Sequence, residues 1–448
     1  MVTTFLHSQG APAKTIDLLC AFGLTMSHQW SARALKTISN NEMLVVQDWV
    51  HQFPFVITHD NVNIPFCVLS QCIDNQSHFD SGTTSTLFFQ PNAPLPPPLS
   101  SHMLQEFRLQ GRQTPLTVLK IYGLASLAAP AQHDHDVYLI LQYLTGSTEF
   151  NFTTYPDREH SLFTPLKPVN QLPIGEQYAT QQFMLGTEHL EEASYEGNAS
   201  VIAAILHQLK LDTDEEMKKI GLDCVIPWVG DQLTAACLCG LYGFRAQDRN
   251  AFERLDWLVV NFGWFHLLMA FANSLHKQYL GTTAGWGLMH AFTLLSRKGL
   301  STVQTCGPFH QQLHEAILHV AEGHFCACWK VVGNVEDLAE LHSKSPMELF
   351  NLAQDIINKL ASSQAIDVLI SQPESQHDQA LQNSILWNRD VLQYIDIYKA
   401  TCSGDVGIME ATLPYLAFRF AGGGNSNYLT EVLELLQCLY HDWPPELW

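Results

Sequence analysis

Residues 222–234 read LDCVIPWVGDQLT. A short apolar run rich in β-branched side chains stops at Gly230, Asp231 and Gln232, which is the pattern of a buried strand delivering a polar turn. Pro227 has no backbone N–H to give to a ladder, so an edge position or a bulge is expected for it. Residues 53–64 (FPFVITHDNVNI) repeat the arrangement, an apolar start too short for an ordinary helix leading into His59, Asp60 and Asn61. Two strands, each with an aspartate at its polar end, are therefore expected. Such positions line the mouth of an α/β sheet, where ligands usually bind.

Outward from these two runs, residues 83–90 (TTSTLFFQ), 137–144 (VYLILQYL) and 255–262 read as further strands. Residues 116–127 fit a strand or a helix equally well. The prolines at 91, 94, 96, 97 and 98 predict a stiff connector without regular structure. Apolar residues recur at helical spacing over 15–51, and residues 188–210 read as a helix that Gly197 and Asn198 divide or weaken. Beyond a helix at 264–279 the chain reads as helical almost to its end, over 310–329, 335–342, 346–362, 379–401, 405–420 and 428–441. The fold class expected is α/β, mixed and helix-rich. The division expected is N-terminal helices at 1–50, an α/β core at 51–262, a mainly helical insertion at 263–420, and a C-terminal helix returning to the core at 421–448.

The chain of 448 residues is 46% hydrophobic and 15% charged, enough apolar side chain for a large core and too much for wholesale disorder. Its net charge of -21 excludes a surface that wraps nucleic acid throughout, so DNA as a partner would need a local basic patch. Eleven cysteines scattered over this length fit a reducing compartment, and the first residues lack the features of a signal peptide. The longest apolar run, residues 257–272, is shorter than a membrane span and carries Asn261 and His266. An intracellular protein, nuclear or cytoplasmic and without a membrane partner, is expected.

Asp60 and Asp231 gain chemical meaning with a third acid. Metal-assisted phosphoryl transfer needs about three carboxylates around ions that prefer hard oxygen ligands. Glu431 and Glu434 lie three residues apart on the last helix, after the turn AGGGNSN, and so share one face. Asp60, Asp231 and Glu431 are the candidate catalytic and metal-binding residues, for Mg²⁺ or Mn²⁺. Asn61, Gln232 and His266 are candidate substrate contacts or supports. An Asp at a strand end also serves as a cap that bonds its own backbone, and each position alone fits that role too. The layout, a first-strand Asp, a fourth-strand Asp and a late-helix acid, resembles RNase H-like nucleases and transposases. The long helical stretch resembles the insertion of hAT-type transposases, although the Cys that precedes the His in their Cys/His element is missing before His266.

The segments ITHDNVNIPF, DNQSHFDSGTTSTLFF, WVGDQLT, DWLVVNFGWFHLLMAFANSLHKQYLGT, GLMHAFTLLSRKGL, WNRDVLQYI and RFAGGGNSNYLTEVLELL resemble a fungal domain family of unknown function, number 6589, associated with transposon-like proteins. The likeness runs from about Trp49 to the C-terminus. What it implies, with the layout, is a transposon-derived protein whose RNase H-like core sheet is interrupted by a large helical insertion and acts on DNA phosphodiesters. The alternative is a catalytically inactive, domesticated or truncated copy serving as a protein-interaction scaffold.

His310 and His314 have the i, i+4 spacing that can hold zinc, but the Glu of an HExxH motif is missing, and packed or solvated helix histidines are the simpler reading. Neither the Cys237 and Cys239 pair nor the Cys326 and Cys328 pair has zinc-knuckle spacing. No nucleophile elbow, P-loop or dinucleotide fingerprint is present.

Overall fold

A computed structural model describes residues 2–66, 78–92, 99–282, 285, 287–297, 299–300 and 310–447. In chain order the elements are α1 (Val2–Ser8), α2 (Ala13–Ala21), α3 (His28–Trp49), β1 (Phe55–Phe66), β2 (His78–Phe89), α4 (Ser101–Gly111), α5 (Val118–Gly146) and β3 (Gln181–Met184). They continue with α6 (Tyr195–Gln208), α7 (Asp214–Asp223), β4 (Ile226–Gly230), α8 (Gln232–Phe244), β5 (Leu258–Phe262), α9 (Trp264–Tyr279), α10 (Leu288–Leu294) and α11 (His310–Gly333). The last are α12 (Pro346–Leu360), α13 (Ser363–Ile370), α14 (Gln379–Ser403), α15 (Val406–Gly423) and α16 (Ser426–Gln437). No helix among the described residues is long and apolar enough to cross a membrane.

Two compact units share this chain. The first takes Met1–Phe107, Ile174–Asn261 and Pro444–Trp448, and the second takes Arg108–Pro173 and Phe262–Trp443. Residues 108–173, counted with the α/β core from sequence, thus belong to the second unit, as does most of the C-terminal segment.

The first unit is built on a mixed five-stranded sheet in the order β3-β2-β1-β4-β5. β1 and β2 form a long antiparallel pair, from Phe55 opposite Phe89 to Phe66 opposite His78. β3 adds antiparallel to β2, and β4 pairs parallel to β1, with Ile57 beside Trp228 and Thr58 beside Val229. Alternation in β1 sends Ile57 and His59 to the buried face and leaves Asp60 exposed. Ile57, Leu87, Trp228 and Trp257 pack there with Val201, Ile202 and Ile205 of α6 and with Leu238 and Leu241 of α8. Side-chain caps start the helices: Ser27 accepts from Trp30 N–H ahead of α3, and Thr213 from Glu216 N–H ahead of α7.

The second unit is a set of packed helices. Phe271 of α9 stands edge-on to Tyr394 of α14 and to Phe420 of α15, and Trp329 of α11 donates its indole N–H to the carbonyl of Ile140 in α5 at 3.0 Å. Asp390, almost fully buried, accepts from Arg389 Nε at 2.7 Å, from Arg419 and from the Tyr279 hydroxyl at 2.5 Å, which ties α14 to α15 and α9. Ser345 and Glu348 form a capping box at the start of α12. The triple glycine joins α15 to α16: Gly424, at φ +71°, ends α15 in the left-handed conformation that glycine adopts without strain. A Cβ on Gly423 would meet Gln278 Nε2 at 2.6 Å and Ser274 Oγ at 2.7 Å on α9, so glycine permits a close helix approach there.

Several expectations are corrected. Residues 137–144 are not a strand but the second half of α5, where Val137, Ile140, Leu141 and Leu144 are buried at helical spacing; an eight-residue apolar run suits either structure when both faces are covered. Pro227 is not on an edge, because β4 lies between β1 and β5. It precedes the first registered pair with β1, and Ile226 N–H bonds the carbonyl of Trp257, so the missing donor falls where the β1 ladder has yet to begin. The helix expected from residue 188 starts at Tyr195, and residues 335–342 give only a six-residue 3₁₀ turn, Leu338–Ser343. The proline-rich connector near 91–98 lies outside the described residues from 93 onward.

Candidate functional site

The parallel pairing of β1 with β4 places two of the expected acids near the same end of the β1–β4 ladder. Thr58 is beside Val229, the last registered pair; two residues further on, Asp60 is still in β1, whereas Asp231 is the residue after the end of β4. Alternation in β1 puts Asp60 on the side of Thr58, opposite His59. Asp60 is exposed and Asp231 half-buried. Asp60 is not at the end of β1, which continues six residues to Phe66 with β2; it stands where β4 leaves. Its Oδ1 accepts from Asn61 N–H at 2.8 Å.

Asp231 is the N-cap of α8. Its Oδ1 accepts from Thr234 N–H at 2.7 Å, so the cap role weighed from sequence is real and also fixes the orientation of the carboxylate. Gly230 makes room for this turn: a Cβ there would come within 2.4 Å of Thr234 Cγ2. Gln232, half-buried, is the first residue of α8.

On the opposite face of the sheet lies a polar cluster that sequence reading missed. Trp228 Nε1 donates to His59 Nδ1 at 2.7 Å. An indole N–H can only donate, so that imidazole nitrogen carries no proton, and the ring is assigned as the Nε2–H tautomer. His59 Nε2 then faces Glu192 Oε2 at 3.1 Å and Asn198 Oδ1 at 3.2 Å. Asn198 presents its oxygen because its amide nitrogen donates to the carbonyls of Glu192 and Ser194. The Thr234 hydroxyl donates to Glu192 Oε1 at 3.3 Å. His59, Glu192, Asn198 and Thr234 are all buried. Burial pushes the Cys237 thiol up, and the charges of Asp231 and Glu192 push it the same way, so both acids act on the first turns of α8. Among the described residues no lysine or arginine pairs with Glu192. The one sequence signal for this cluster was His59 ahead of Asp60; Glu192 lies 133 residues away and has no local pattern.

The other expected residues belong to the second unit. Glu431 is buried in the first half of α16, with 8% of its surface exposed. His266 is half-buried in the first turn of α9, edge-on to Phe265. His310 and His314 are tilted rings 6.1 Å apart on α11, and His314 Nδ1 is 2.7 Å from the Tyr394 hydroxyl. Burial lowers the pKa of both, and for His310 the neighbouring His314 and His266 act the same way. Within either unit, among the described residues, no group of three or more His, Cys, Asp or Glu side chains is gathered to hold a metal ion. The sheet unit carries two carboxylates, Asp60 and Asp231, and carboxylate oxygen is a donor type that suits Mg²⁺ or Mn²⁺.

These features define a helix-rich α/β protein with a small mixed sheet, one carboxylate on β1 and another at the turn that follows β4. The chain belongs to a family of unknown function, DUF6589, whose profile matches residues 111–448, 338 of the 448 residues. The match includes Asp231, His266, Glu431 and Glu192 and begins after β2, so it does not reach Asp60 or His59. No curated protein and no solved structure matches the chain.

Proposed function

We propose that this is a transposon-derived protein of RNase H-like type that cleaves or transfers DNA phosphodiesters with the help of Mg²⁺ or Mn²⁺. The observation that carries the reading is the sheet: order β3-β2-β1-β4-β5, β1 parallel to β4, with Asp60 on β1 and Asp231 at the turn from β4 into α8. In this reading Asp60 and Asp231 supply carboxylate oxygens. Thr234 N–H keeps one oxygen of Asp231 engaged and so orients the carboxylate. A divalent ion bound there would lower the pKa of a bound water or 3′ hydroxyl and stabilise the leaving oxygen. Asn61 and Gln232 are the proposed substrate contacts. With a net charge of -21, a DNA strand would have to approach through a local basic patch.

The full chain incubated with labelled DNA and Mg²⁺ or Mn²⁺ should cut it, and Asp231→Asn should abolish the cutting. No cutting by the wild type in either metal overturns the activity. A second reading, an inactive copy acting as an interaction scaffold, draws on a different observation: Val118, Leu119, Tyr122 and Leu127 at the start of α5 are 65–83% exposed. Capture of a partner protein lost on Leu119→Glu, together with no cutting, would favour it.

A further inference from the structure

We propose that Glu192 is a positioning residue for the two strand acids, acting through His59 on one side and Thr234 on the other; this rests on the reading of Asp60 and Asp231 as metal ligands. The Trp228 to His59 bond runs between β4 and β1 next to their registered pair Ile57 and Trp228, so it fixes the register of the two parallel strands. A slip of one residue would turn Asp60 to the other face of the sheet. His59 is itself hydrogen-bonded at both ring nitrogens, by Trp228 at Nδ1 and by Asn198 at Nε2, with Glu192 Oε2 lying 3.1 Å from Nε2.

The other arm acts on Asp231. Thr234 N–H holds Asp231 Oδ1, the Thr234 hydroxyl reaches Glu192 Oε1, and Gly230 leaves room for the Thr234 methyl. Glu192 is therefore one side chain that touches the residue before Asp60 and the residue that orients Asp231, while itself pointing into the face away from both. Side chains that hold metal ligands in place from behind commonly change affinity about 10- to 100-fold when altered.

Mn²⁺ alone, titrated into the full chain by calorimetry, tests this without any cleavage. Wild type should bind and Asp231→Asn should not. Glu192→Gln and Thr234→Val should weaken binding about 10- to 100-fold, while Thr234→Ser, which keeps the hydroxyl, should restore affinity to within about threefold of wild type. Circular dichroism establishes which variants fold; where Glu192→Gln does not, the Thr234→Val and Thr234→Ser pair carries the test. Wild type that binds no Mn²⁺ overturns the metal reading and the positioning role with it. Wild-type binding with unchanged affinity in folded Glu192→Gln and Thr234→Val overturns the positioning role alone. Loss of binding in Glu192→Gln as complete as in Asp231→Asn would make Glu192 a ligand, and also overturns it.

Discussion

The sheet unit and the helical unit both bury carboxyl groups, and they surround them differently. In the helical unit Asp390 meets two guanidinium groups and a tyrosine hydroxyl, and every one of those partners lies on a helix of the same bundle. In the sheet unit Glu192 meets the imidazole of His59, the residue before Asp60, and a threonine hydroxyl whose own backbone N–H holds Asp231. The first arrangement closes on itself and fastens helices. The second ends in carboxylates that solvent reaches, and this separates a site from a structural lock more clearly than burial alone.

The largest test of that difference is Asp231→Asn. Asn still caps α8, so the thermal midpoint should stay near wild type, while metal-dependent cutting of labelled DNA should fall to the no-protein background. Cutting at the wild-type rate would place Asp231 with the structural residues. Next in size is Asp390→Ala, which leaves two guanidinium groups without their carboxylate and should cost about 3–5 kcal/mol in urea unfolding. A loss below about 1 kcal/mol would mean that the helical unit does not depend on that ion cluster.

A third comparison uses pH within the helical unit. Burial pushes the Asp396 carboxyl up to about 7, against the pull of the Gln132 hydrogen bond and of Lys399. Burial and the charge of Asp396 also raise Asp136 well above the usual carboxylate range. The folded chain holds these protons more tightly than the unfolded chain, so the stability they contribute is complete in acid and declines as pH rises through about 7. Asp396→Asn keeps an acceptor for Gln132 and should gain stability over wild type as pH is raised through 7, read as the difference between the two thermal midpoints. A difference that stays flat or shrinks would contradict the burial of that acid.

The smallest contrast sets two caps side by side. Ser194 Oγ accepts from Gly197 N–H at the start of α6, and Ser345 Oγ from Glu348 N–H at the start of α12. Replacing either by Ala should cost about 1 kcal/mol. Only Ser194→Ala should also weaken Mn²⁺ binding, because the turn it loosens carries Asn198 against His59. Equal Mn²⁺ affinities in the two variants would detach the α6 start from the site.

β1 and β4 were readable because a β-branched run ending in polar residues has a local signature, and Asp60 and Asp231 came with it. β3 was not: QQFM is short, mostly exposed and lacks alternation. VYLILQYL misled because strand and buried helix demand the same composition over eight residues. The cluster around Glu192 left almost no trace, since its members are joined through space: His59 bonds residues 133, 139 and 169 positions away. The capping role of Asp231 was foreseeable from its type and place; its contact with Thr234, and through Thr234 with Glu192, needed the turn of α8.

The discontinuity of the sheet unit bears on how the protein is made. β1 ends at Phe66 and its parallel neighbour begins at Ile226, so 160 residues (226 minus 66) must leave the ribosome before that edge is covered. Counted from the end of β2 at Phe89, 137 residues (226 minus 89) remain, so at about 5–20 residues per second the β1–β2 hairpin waits about 7–27 s with a row of unsatisfied backbone donors and acceptors. Slower translation of the intervening stretch would lengthen the interval in which that edge can pair with another nascent chain.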